Sequence, residues 1–224
     1  MNSMLTLALV ACFAACAWAC CTPDQWEGYE GSSAGYAKFF KKGAVVEHAY
    51  VAYDYTNRRS AVFLSYINGD YENKFQIVTR YEEDDNDKER RMYFVDEKKN
   101  KCWTKKLERE FHKACIPKDA KEHGSYYLGL KGGFKVRSFD VAKGPIYAFV
   151  TVADLDNDLC VPVLEQLSGK LRRISFIQDT QFVDLTPGIK NATVFDVPKQ
   201  CDEAEETDEL FAASVERDHF ILGV

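Results

Sequence analysis

The stretch from Lys74 to Tyr81, which reads KFQIVTRY, alternates between two kinds of side chain in the way a half-buried β-strand does. Successive side chains of a strand point to opposite faces of the sheet. One face of this stretch is therefore predicted to be buried, while its glutamine and arginine lie on the other. The residues on the predicted buried face are Phe75, Ile77, Thr79 and Tyr81.

Short runs of similar character follow one another along most of the chain. Turn-forming sequences such as Asn68-Gly69-Asp70 and Pro187-Gly188 separate them. Strands at this spacing predict an all-β, mainly antiparallel fold, either a sandwich or a barrel, and the aromatic content of 13% favours the same class. The predicted strands are Val45–Tyr53, Ala61–Ile67, Lys74–Tyr81, Arg91–Val95, Phe134–Val141, Ile146–Ala153, Leu171–Gln178, Gln181–Leu185 and Thr193–Val197.

Two segments favour short helices instead of strands. Thr104–Ala114 is rich in good helix formers, and Val163–Leu167 is followed by Gly169, which is placed to end a helix. We therefore expect one or two short helices beside the strands.

The overall composition excludes several classes of protein. Of the 224 residues, 29% are charged and 46% hydrophobic, which is the mix of a globular protein and not of a disordered or collagen-like one. The chain has 29 Lys and Arg against 35 Asp and Glu, a net charge of −6. Nucleic-acid binding is not expected, because it needs a basic surface.

The first nineteen residues have the character of an export signal. They carry no charged side chain and end in Ala17-Trp18-Ala19, which matches the small-residue site that signal peptidase cleaves. We predict a signal peptide at 1–19, a single secreted domain over 20–201 and an acidic tail over 202–224. A buried N-terminal helix is the alternative for the first segment. No membrane span is predicted, because the apolar run is too short and no other stretch is long and uncharged.

The cysteines predict disulfide bonds. Six remain after residue 19, and an even number of cysteines in an exported chain indicates a disulfide framework. Their spacing alone does not select a pairing. A zinc site that uses His112, Cys115 and His123 is the alternative, but the short paired spacings typical of zinc are missing. The six cysteines are Cys20, Cys21, Cys102, Cys115, Cys160 and Cys201.

The sequence contains none of the common catalytic signatures. The nucleophile elbow, the zinc-protease helix, the phosphate-binding loop and the dinucleotide-binding loop are all missing. We therefore predict no enzymatic activity, no catalytic residue and no required cofactor. A hydrolase with an unrecognised site is a remote alternative.

One acidic segment has the composition of a weak calcium site. Asp154, Asp156 and Asp158 place three carboxylates at alternate positions, and calcium takes oxygen ligands of this kind. Leu159 stands where a calcium loop of the EF-hand type has glycine, so binding is expected only in the range of about 10⁻⁴–10⁻³ M that is typical of extracellular modules. An acidic turn between two strands is the alternative.

The sequence Asn191-Ala192-Thr193 is an N-glycosylation sequon. In an exported chain it predicts a surface position for Asn191 and a glycan on it, with an unused sequon as the alternative.

Several short motifs, taken in order, resemble those of ependymin-related proteins. Residues 20–28, CCTPDQWEG, resemble the C-x-x-P-x-Q-W-E-G start of those proteins, and residues 53–59, YDYTNRR, are similar to their Y-D-x-x-N-x-R. Lys101-Cys102 and residues 158–163, DLCVPV, are similar to their K/Q-C and D-C-x-P-V motifs. Residues 188–201 resemble the closing G-I-x…V-F…P-x-x-C. The chain departs from the pattern in its double cysteine at the start, in a further cysteine and in its acidic tail.

The resemblance implies an exported glycoprotein of two stacked, curved antiparallel sheets, similar to bacterial lipoprotein carriers, that enclose an apolar pocket. It also implies a homodimer, calcium binding, and roles in cell–matrix adhesion, the extracellular matrix and the lysosomal lumen. For the cysteines it implies that Cys102 pairs with Cys201 and Cys160 with Cys20 or Cys21. Cys115 is then left for the other member of that doublet.

We therefore predict a secreted, non-catalytic protein that holds an apolar small molecule, such as a lipid, between its sheets. A mostly preformed cavity lined by aliphatic and aromatic side chains is the usual form of such a site. An adhesive or matrix glycoprotein without a ligand is the alternative, as is ordinary core packing for each lining residue. The candidate lining residues are Phe63, Phe75, Ile77, Phe94, Phe134, Val136, Phe149, Ile174 and Phe176.

Overall fold

A computed structural model of the chain describes residues 18–38, 41–81, 90–108, 110–143, 145–171 and 173–207. Most of the signal peptide predicted at 1–19 and most of the tail predicted at 202–224 lie outside these residues. The strands are β1 Trp18–Cys21, β2 Gln25–Lys38, β3 Lys41–Asp54, β4 Arg59–Asn68, β5 Tyr71–Arg80, β6 Arg91–Asp96, β7 Lys101–Lys106, β8 Cys115–Pro117, β9 Lys121–Leu128, β10 Phe134–Lys143, β11 Ile146–Asp154, β12 Cys160–Leu171, β13 Ile174–Pro187 and β14 Glu205–Glu206.

Twelve of the strands form one sheet in the order β14-β7-β6-β5-β4-β3-β2-β13-β12-β11-β10-β9. All neighbours in it are antiparallel except β14 and β7, which run parallel. The two remaining strands, β1 and β8, pair antiparallel in a second, small sheet. Among the described residues the large sheet has two free edges, at β14 and β9, so it is not a closed barrel. The prediction of an all-β, mainly antiparallel fold is confirmed.

Neither of the two predicted helices forms. Val163–Leu167 lies inside β12, which pairs with β11 on one side and β13 on the other. In Thr104–Ala114, residues 104–106 belong to β7, and the described residues that follow form no helix. Helix propensity is a weak preference, and pairing with strands on both sides overrides it.

The closing part of the chain also differs from the prediction. Thr193–Val197, predicted as a strand, contains most of a short 3₁₀ helix at Ala192–Phe195, and a second 3₁₀ helix follows at Lys199–Cys201. The start of the acidic tail is not simply solvated. Glu205 and Glu206 pair with β7, and the Glu205 carboxylate lies 3.7 Å from Lys101 Nζ.

One face of the large sheet, called the inner face here, carries most of the core. A first apolar cluster on it includes Trp26, Tyr53 and Ile77, together with Phe111 from the segment before β8. A second cluster packs Phe139, Val150 and Leu167 against Cys20 of β1 and Ile116 of β8. The small sheet covers the second cluster, and the segment that leads into β8 covers the first. The burial of these apolar side chains holds β1 and β8 on the inner face.

A band of polar side chains crosses the middle of the inner face between the two clusters. Direct cross-strand pairing places Thr180 beside both Ser32 and Glu165, and Ser32 beside Glu47. The Ser32 hydroxyl donates to Glu47 at 3.0 Å. Polar groups are costly to bury beside apolar ones. The band therefore separates the interior into two apolar compartments, one on each side of it. Its buried members are Glu30, Ser32, Glu47, Glu165, Gln178 and Thr180.

The C-terminal segment covers part of the opposite, outer face. Phe195, which is 1% exposed, packs against Ala52, Ala61 and Val78, and the Arg59 guanidinium lies 4.4 Å above its ring. Further along, residues 197–204 pack against β6 and β7. This segment thus gives strands β3–β7 a core on both faces.

Three disulfides join these layers. Cys102 is bonded to Cys201, which holds the C-terminal segment on the outer face. Cys20 is bonded to Cys160, and Cys21 to Cys115 within the small sheet. This is one of the two arrangements that the resemblance implied, and the structure assigns Cys160 to Cys20.

The Cys102–Cys201 bond closes a loop that spans 99 positions of sequence. In the chain-entropy description, a disulfide that closes so long a loop stabilises the fold by roughly 3–5 kcal/mol. We expect the double variant Cys102→Ser/Cys201→Ser to lower the free energy of unfolding by that amount in urea titrations. Relative to the parent, the variant should show a larger increase in the rate of hydrogen exchange in residues 188–204 than in β11 and β12. A variant as stable as the parent would contradict this role.

Candidate ligand-binding site

The Y-D-x-x-N-x-R sequence at 53–59 forms a hydrogen-bond network around one buried carboxylate. Asp54 ends β3 and is 0% exposed. Its two oxygens accept hydrogen bonds from Gln25 Nε2 at 2.9 Å, Asn57 Nδ2 at 2.8 Å, the Asn57 backbone N–H at 3.1 Å and Arg59 Nε at 2.9 Å. The motif residues are therefore structural, and the network joins the start of β2 to the turn between β3 and β4.

These hydrogen bonds also set the charge state of the carboxyl group. Burial alone would raise the pKa of Asp54, but donors from Asn57, Gln25 and Arg59 outweigh burial and hold it below its usual range. Asp96 is in the same position, because donors from Asn73 and Lys99 hold its pKa below the usual range against the opposing effect of burial. Both groups are therefore ionised in the folded protein at neutral pH.

The motif tyrosine and tryptophan anchor the inner core beside this network. The rings of Trp26 and Tyr53 are stacked with centroids 5.7 Å apart, and Phe111 stacks on Tyr53 at 5.3 Å. The Tyr53 hydroxyl donates to the His112 carbonyl and accepts from the Ala114 N–H. Burial raises the pKa of Tyr53 well above its usual value, so the phenol remains a donor. Tyr53 therefore holds the segment before β8 against the inner face.

A row of four aromatic rings crosses neighbouring strands β4 to β7 on the inner face. The centroid distances are 6.1 Å from Tyr66 to Phe75, 5.2 Å from Phe75 to Phe94 and 6.0 Å from Phe94 to Trp103. Phe94 is buried, whereas Tyr66, Phe75 and Trp103 are only half-buried. At the usual strand spacing the row spans about 15 Å. It therefore offers a continuous, partly accessible aromatic wall, called the aromatic row here.

The structure brings together three of the nine candidate lining residues. Phe75, Ile77 and Phe94 belong to the first inner cluster, and Phe75 and Phe94 are members of the aromatic row. Phe176 packs separately, against the second inner cluster. The other five lie elsewhere: Phe63 on the outer face, Phe134 exposed beside the β9–β10 turn, Val136 buried in β10, Phe149 half-buried near His123, and Ile174 half-buried at the start of β13.

The outer face carries an apolar groove that sequence reasoning missed, apart from Phe63. It has a volume of about 480 Å³. Tyr29, Tyr50 and Phe63 lie in one cross-strand row along it, with ring centroids 5.6 and 6.0 Å apart. Burial and a hydrogen bond to Glu27 raise the pKa of Tyr50 to about 12. The available sequence clue was a single tyrosine on this face of each strand, Tyr29 in β2 and Tyr50 in β3, among mainly small and polar residues.

The three aspartates predicted to bind calcium do not converge in the structure. Asp154 is held by Arg137, whose Nη2 lies 2.6 Å from one carboxylate oxygen and whose Nε lies 2.9 Å from both. Asp156 and Asp158 are exposed in the following turn. The part of the chain that the structure describes contains no group of three or more His, Cys, Asp and Glu side chains arranged to hold a metal ion. The calcium site remains a prediction.

A second polar cluster ties the edge strand β9 to its neighbours. His123 Nε2 lies 2.7 Å from one oxygen of Asp140, and the Tyr147 hydroxyl donates to the other. These hydrogen bonds, the one from Tyr147 first, lower the pKa of Asp140. Because both carboxylate oxygens are engaged across three strands, the cluster acts as a clamp at the sheet edge.

Known proteins are similar to this chain over most of its length. A model of the family Ependymin matches residues 71–201, which is more than half of the chain. The chain belongs to the Ependymin family. Ependymin-related protein 1 of Haliotis asinina is 27% identical over 195 residues, which covers 81% of this chain and 90% of that protein. The resemblance found in the motifs is thereby confirmed, and the disulfide-bonded β fold is the context for the motif residues described above.

Two solved structures also match over most of this Ependymin-family chain. An uncharacterized conserved protein from Thermus thermophilus is 12% identical with a TM-score of 0.45, and covers 83% of this chain and 90% of its own. PNGF-II is 10% identical with a TM-score of 0.30, over 84% of this chain and 32% of its own. None of the helices among the described residues is long and apolar enough to cross a bilayer.

The lowered pKa values of Asp54 and Asp96 predict that acid weakens the fold. A group whose pKa is lower in the folded than in the unfolded chain adds stability above the unfolded value of about 4, and this is lost as the pH falls through the folded value. We expect the free energy of unfolding to decrease as the pH is lowered below about 5, and to decrease less in Asp54→Asn and in Asp96→Asn. Urea titrations across this range test it.

The matched control is Asp70→Asn, whose side chain is exposed in the turn before β5. It should reproduce the pH profile of the parent. If the pH profiles of Asp54→Asn and Asp96→Asn both parallel that of the parent, these two carboxylates are not the cause of the loss of stability in acid.

Proposed function

We propose that this Ependymin-family chain is a secreted, non-catalytic protein that binds an apolar ligand of the lipid class along the aromatic row. The observation that carries the proposal is the position of Tyr66, Phe75 and Trp103, which remain half-buried on an inner face whose other large side chains are mostly buried. Three disulfides and the family support the extracellular setting, because such bonds persist in oxidising compartments.

The chemistry of the row suits an acyl chain. Aromatic and aliphatic side chains with few polar groups are typical of sites for apolar ligands. A length of about 15 Å across four strands matches an extended chain of medium length. The polar band begins at Glu47, beside Tyr66, and bounds the row at that end. Because the band contains the carboxylates of Glu30, Glu47 and Glu165, an anionic headgroup would lie at the Trp103 end of the row instead.

The resemblance also suggests other properties, which we propose as alternatives. A calcium-dependent matrix or adhesion protein without a ligand would use its solvent-exposed surface, for example the turn between β11 and β12, where Asp156 and Asp158 are exposed. Homodimer formation and a lysosomal location rest on the family resemblance alone. The aromatic row gives ligand binding the more specific support.

The test compares two half-buried phenylalanines on opposite faces. Phe75→Ala, in the aromatic row, should weaken the binding of a fluorescent fatty-acid probe by about tenfold, which is the effect of removing one well-covered aromatic side chain. Phe149→Ala, on the outer face beside His123, should leave probe affinity unchanged. Fluorescence titration of the secreted protein measures both affinities.

Thermal melts separate ligand contact from core packing. Phe139→Ala, at a position that is 1% exposed, should cost about 3–5 kcal/mol. Phe75→Ala should cost less, because part of its ring already faces open space. Failure of the parent protein to bind the probe, or an equal loss of affinity in Phe149→Ala, would rule out the aromatic row as the ligand site.

We also propose that Asn191 carries a glycan in the secreted protein. Asn191 is exposed, and its side-chain oxygen accepts hydrogen bonds from the Thr193 N–H at 3.0 Å and hydroxyl at 2.9 Å. This local turn presents the asparagine on the surface. Treatment of the secreted parent with an amidase that removes N-glycans should lower its mass, whereas Asn191→Gln and Thr193→Ala should be unaffected by it. A parent mass equal to that of the bare chain would contradict the proposal.

A further inference from the structure

The last described strand, β14, brings the chain to one end of the aromatic row. Glu205 pairs directly with Trp103 of β7, and the Thr207 N–H donates to the Thr104 carbonyl at 3.0 Å. Adjacent strands lie about 5 Å apart, so the chain passes beside Trp103 at this distance. Residues 208–224, called the distal tail here, follow from this point and lie outside the described residues. The distal tail therefore starts next to the proposed ligand site.

The distal tail carries apolar side chains, although the residues before it are mainly acidic. Its two apolar stretches are residues 210–211, LF, and residues 220–222, FIL. A chain spans at most about 3.3–3.6 Å per residue, so residue 211 lies within about 14 Å of Thr207. The row itself spans about 15 Å. The first stretch can therefore reach most of the four rings, and the second, which starts nine residues further on, can reach all of them.

Charge favours contact between the tail and the same edge of the sheet. Residues 98–106 contain five lysines and no acidic residue, whereas residues 202–209 contain six acidic residues. The Glu205 carboxylate already lies 3.7 Å from Lys101 Nζ. Lys99 Nζ lies 5.9 Å from the centre of the Trp103 ring. The start of the tail is therefore attracted to the end of the row from which its apolar stretches can extend.

We propose that the distal tail docks on the aromatic row of its own chain and competes there with the ligand. This inference rests on the proposed function and concerns the regulation of that same site. Because Tyr66, Phe75 and Trp103 are half-buried, apolar side chains of the tail can cover their rings and remove both surfaces from water. Attachment at Thr207 gives the tail an effective concentration at the row of about millimolar.

The docked tail opposes an anionic ligand by charge as well as by contact. Lys99 and Lys101 stand at the Trp103 end of the row, where an anionic headgroup would lie. The acidic residues that precede the distal tail compete with a headgroup for these cations. If the tail occupies the row for about nine-tenths of the time, the apparent affinity for a ligand is about tenfold lower than in a chain whose tail does not dock.

The experiment compares full-length chains that differ only in the distal tail. The variant Phe211→Ser/Phe220→Ser removes one large apolar side chain from each stretch and leaves every described residue unchanged. It should bind a fluorescent fatty-acid probe about tenfold more tightly than the parent in fluorescence titrations. The matched control is Glu216→Gln, which lies between the two apolar stretches and should bind the probe like the parent.

A second measurement detects the docked tail without any ligand. After residue 19 the chain has two tryptophans, of which Trp26 is 2% exposed and Trp103 is half-buried. Quenching of tryptophan fluorescence by acrylamide therefore reports mainly on Trp103. The variant Phe211→Ser/Phe220→Ser should be quenched more strongly than the parent, because its row is uncovered. In a Trp103→Phe background this difference should disappear.

The two measurements distinguish failure of this proposal from failure of the ligand site. Stronger quenching of the variant, with no probe bound by either chain, would reject the ligand site and support docking of the tail. Equal quenching in the variant and the parent would overturn the docking, even where both bind the probe. Stronger quenching with unchanged probe affinity would overturn the competition. A quenching difference that disappears on dilution would assign the contact to a second copy of the chain and also overturn the proposal.

Discussion

The buried, ionised carboxylate of Asp54 is the constraint on which the first half of the fold depends. A charge removed from water is tolerated only when donors surround it, and here they come from Gln25, Asn57 and Arg59. The Asp54 carboxylate, at the end of β3, accepts hydrogen bonds from β2, from the turn between β3 and β4 and from β4. It therefore fixes the register of these three strands at one end. Arg59 extends the same network to Phe195, so the C-terminal segment is placed by it as well.

Buried polar side chains, and not a break in the sheet, divide the inner face into two apolar parts. Hydrogen bonding continues without interruption from β7 to β9, yet the buried polar band separates the two apolar clusters. A ligand that filled the whole interior would have to pass those polar groups. The side of the band that holds the aromatic row is therefore the more favourable compartment for an acyl chain, with an anionic headgroup directed away from the carboxylates of the band.

The sequence predicted the parts of the fold in which side chains alternate cleanly. Residues 74–81 lie within or directly after β5, as predicted. Val78, on the outer face, is as buried as Ile77 on the inner one, because the C-terminal segment covers it. Strand β2 was missed, since its Gly- and Ser-rich stretch around Ser32 disfavours strands in isolation and depends on pairing with β3 and β13. Phe75 and Phe94 were found as candidates, but Tyr66 and Trp103 were not, because only strand register places these four rings in one row.

The exposed end of the β9–β10 hairpin could not be predicted from hydrophobicity, for a related reason. A pattern assigns Leu130 and Phe134 to a core by default, because apolar side chains are usually buried. The turn through Gly129 and Gly132 places these residues at the end of the hairpin, where Leu130 is 86% and Phe134 54% exposed. The same apolar character therefore has two different consequences in this molecule. In the aromatic row it is partly sheltered by the sheet and suits a small ligand, whereas at the end of the β9–β10 hairpin it is largely exposed to solvent.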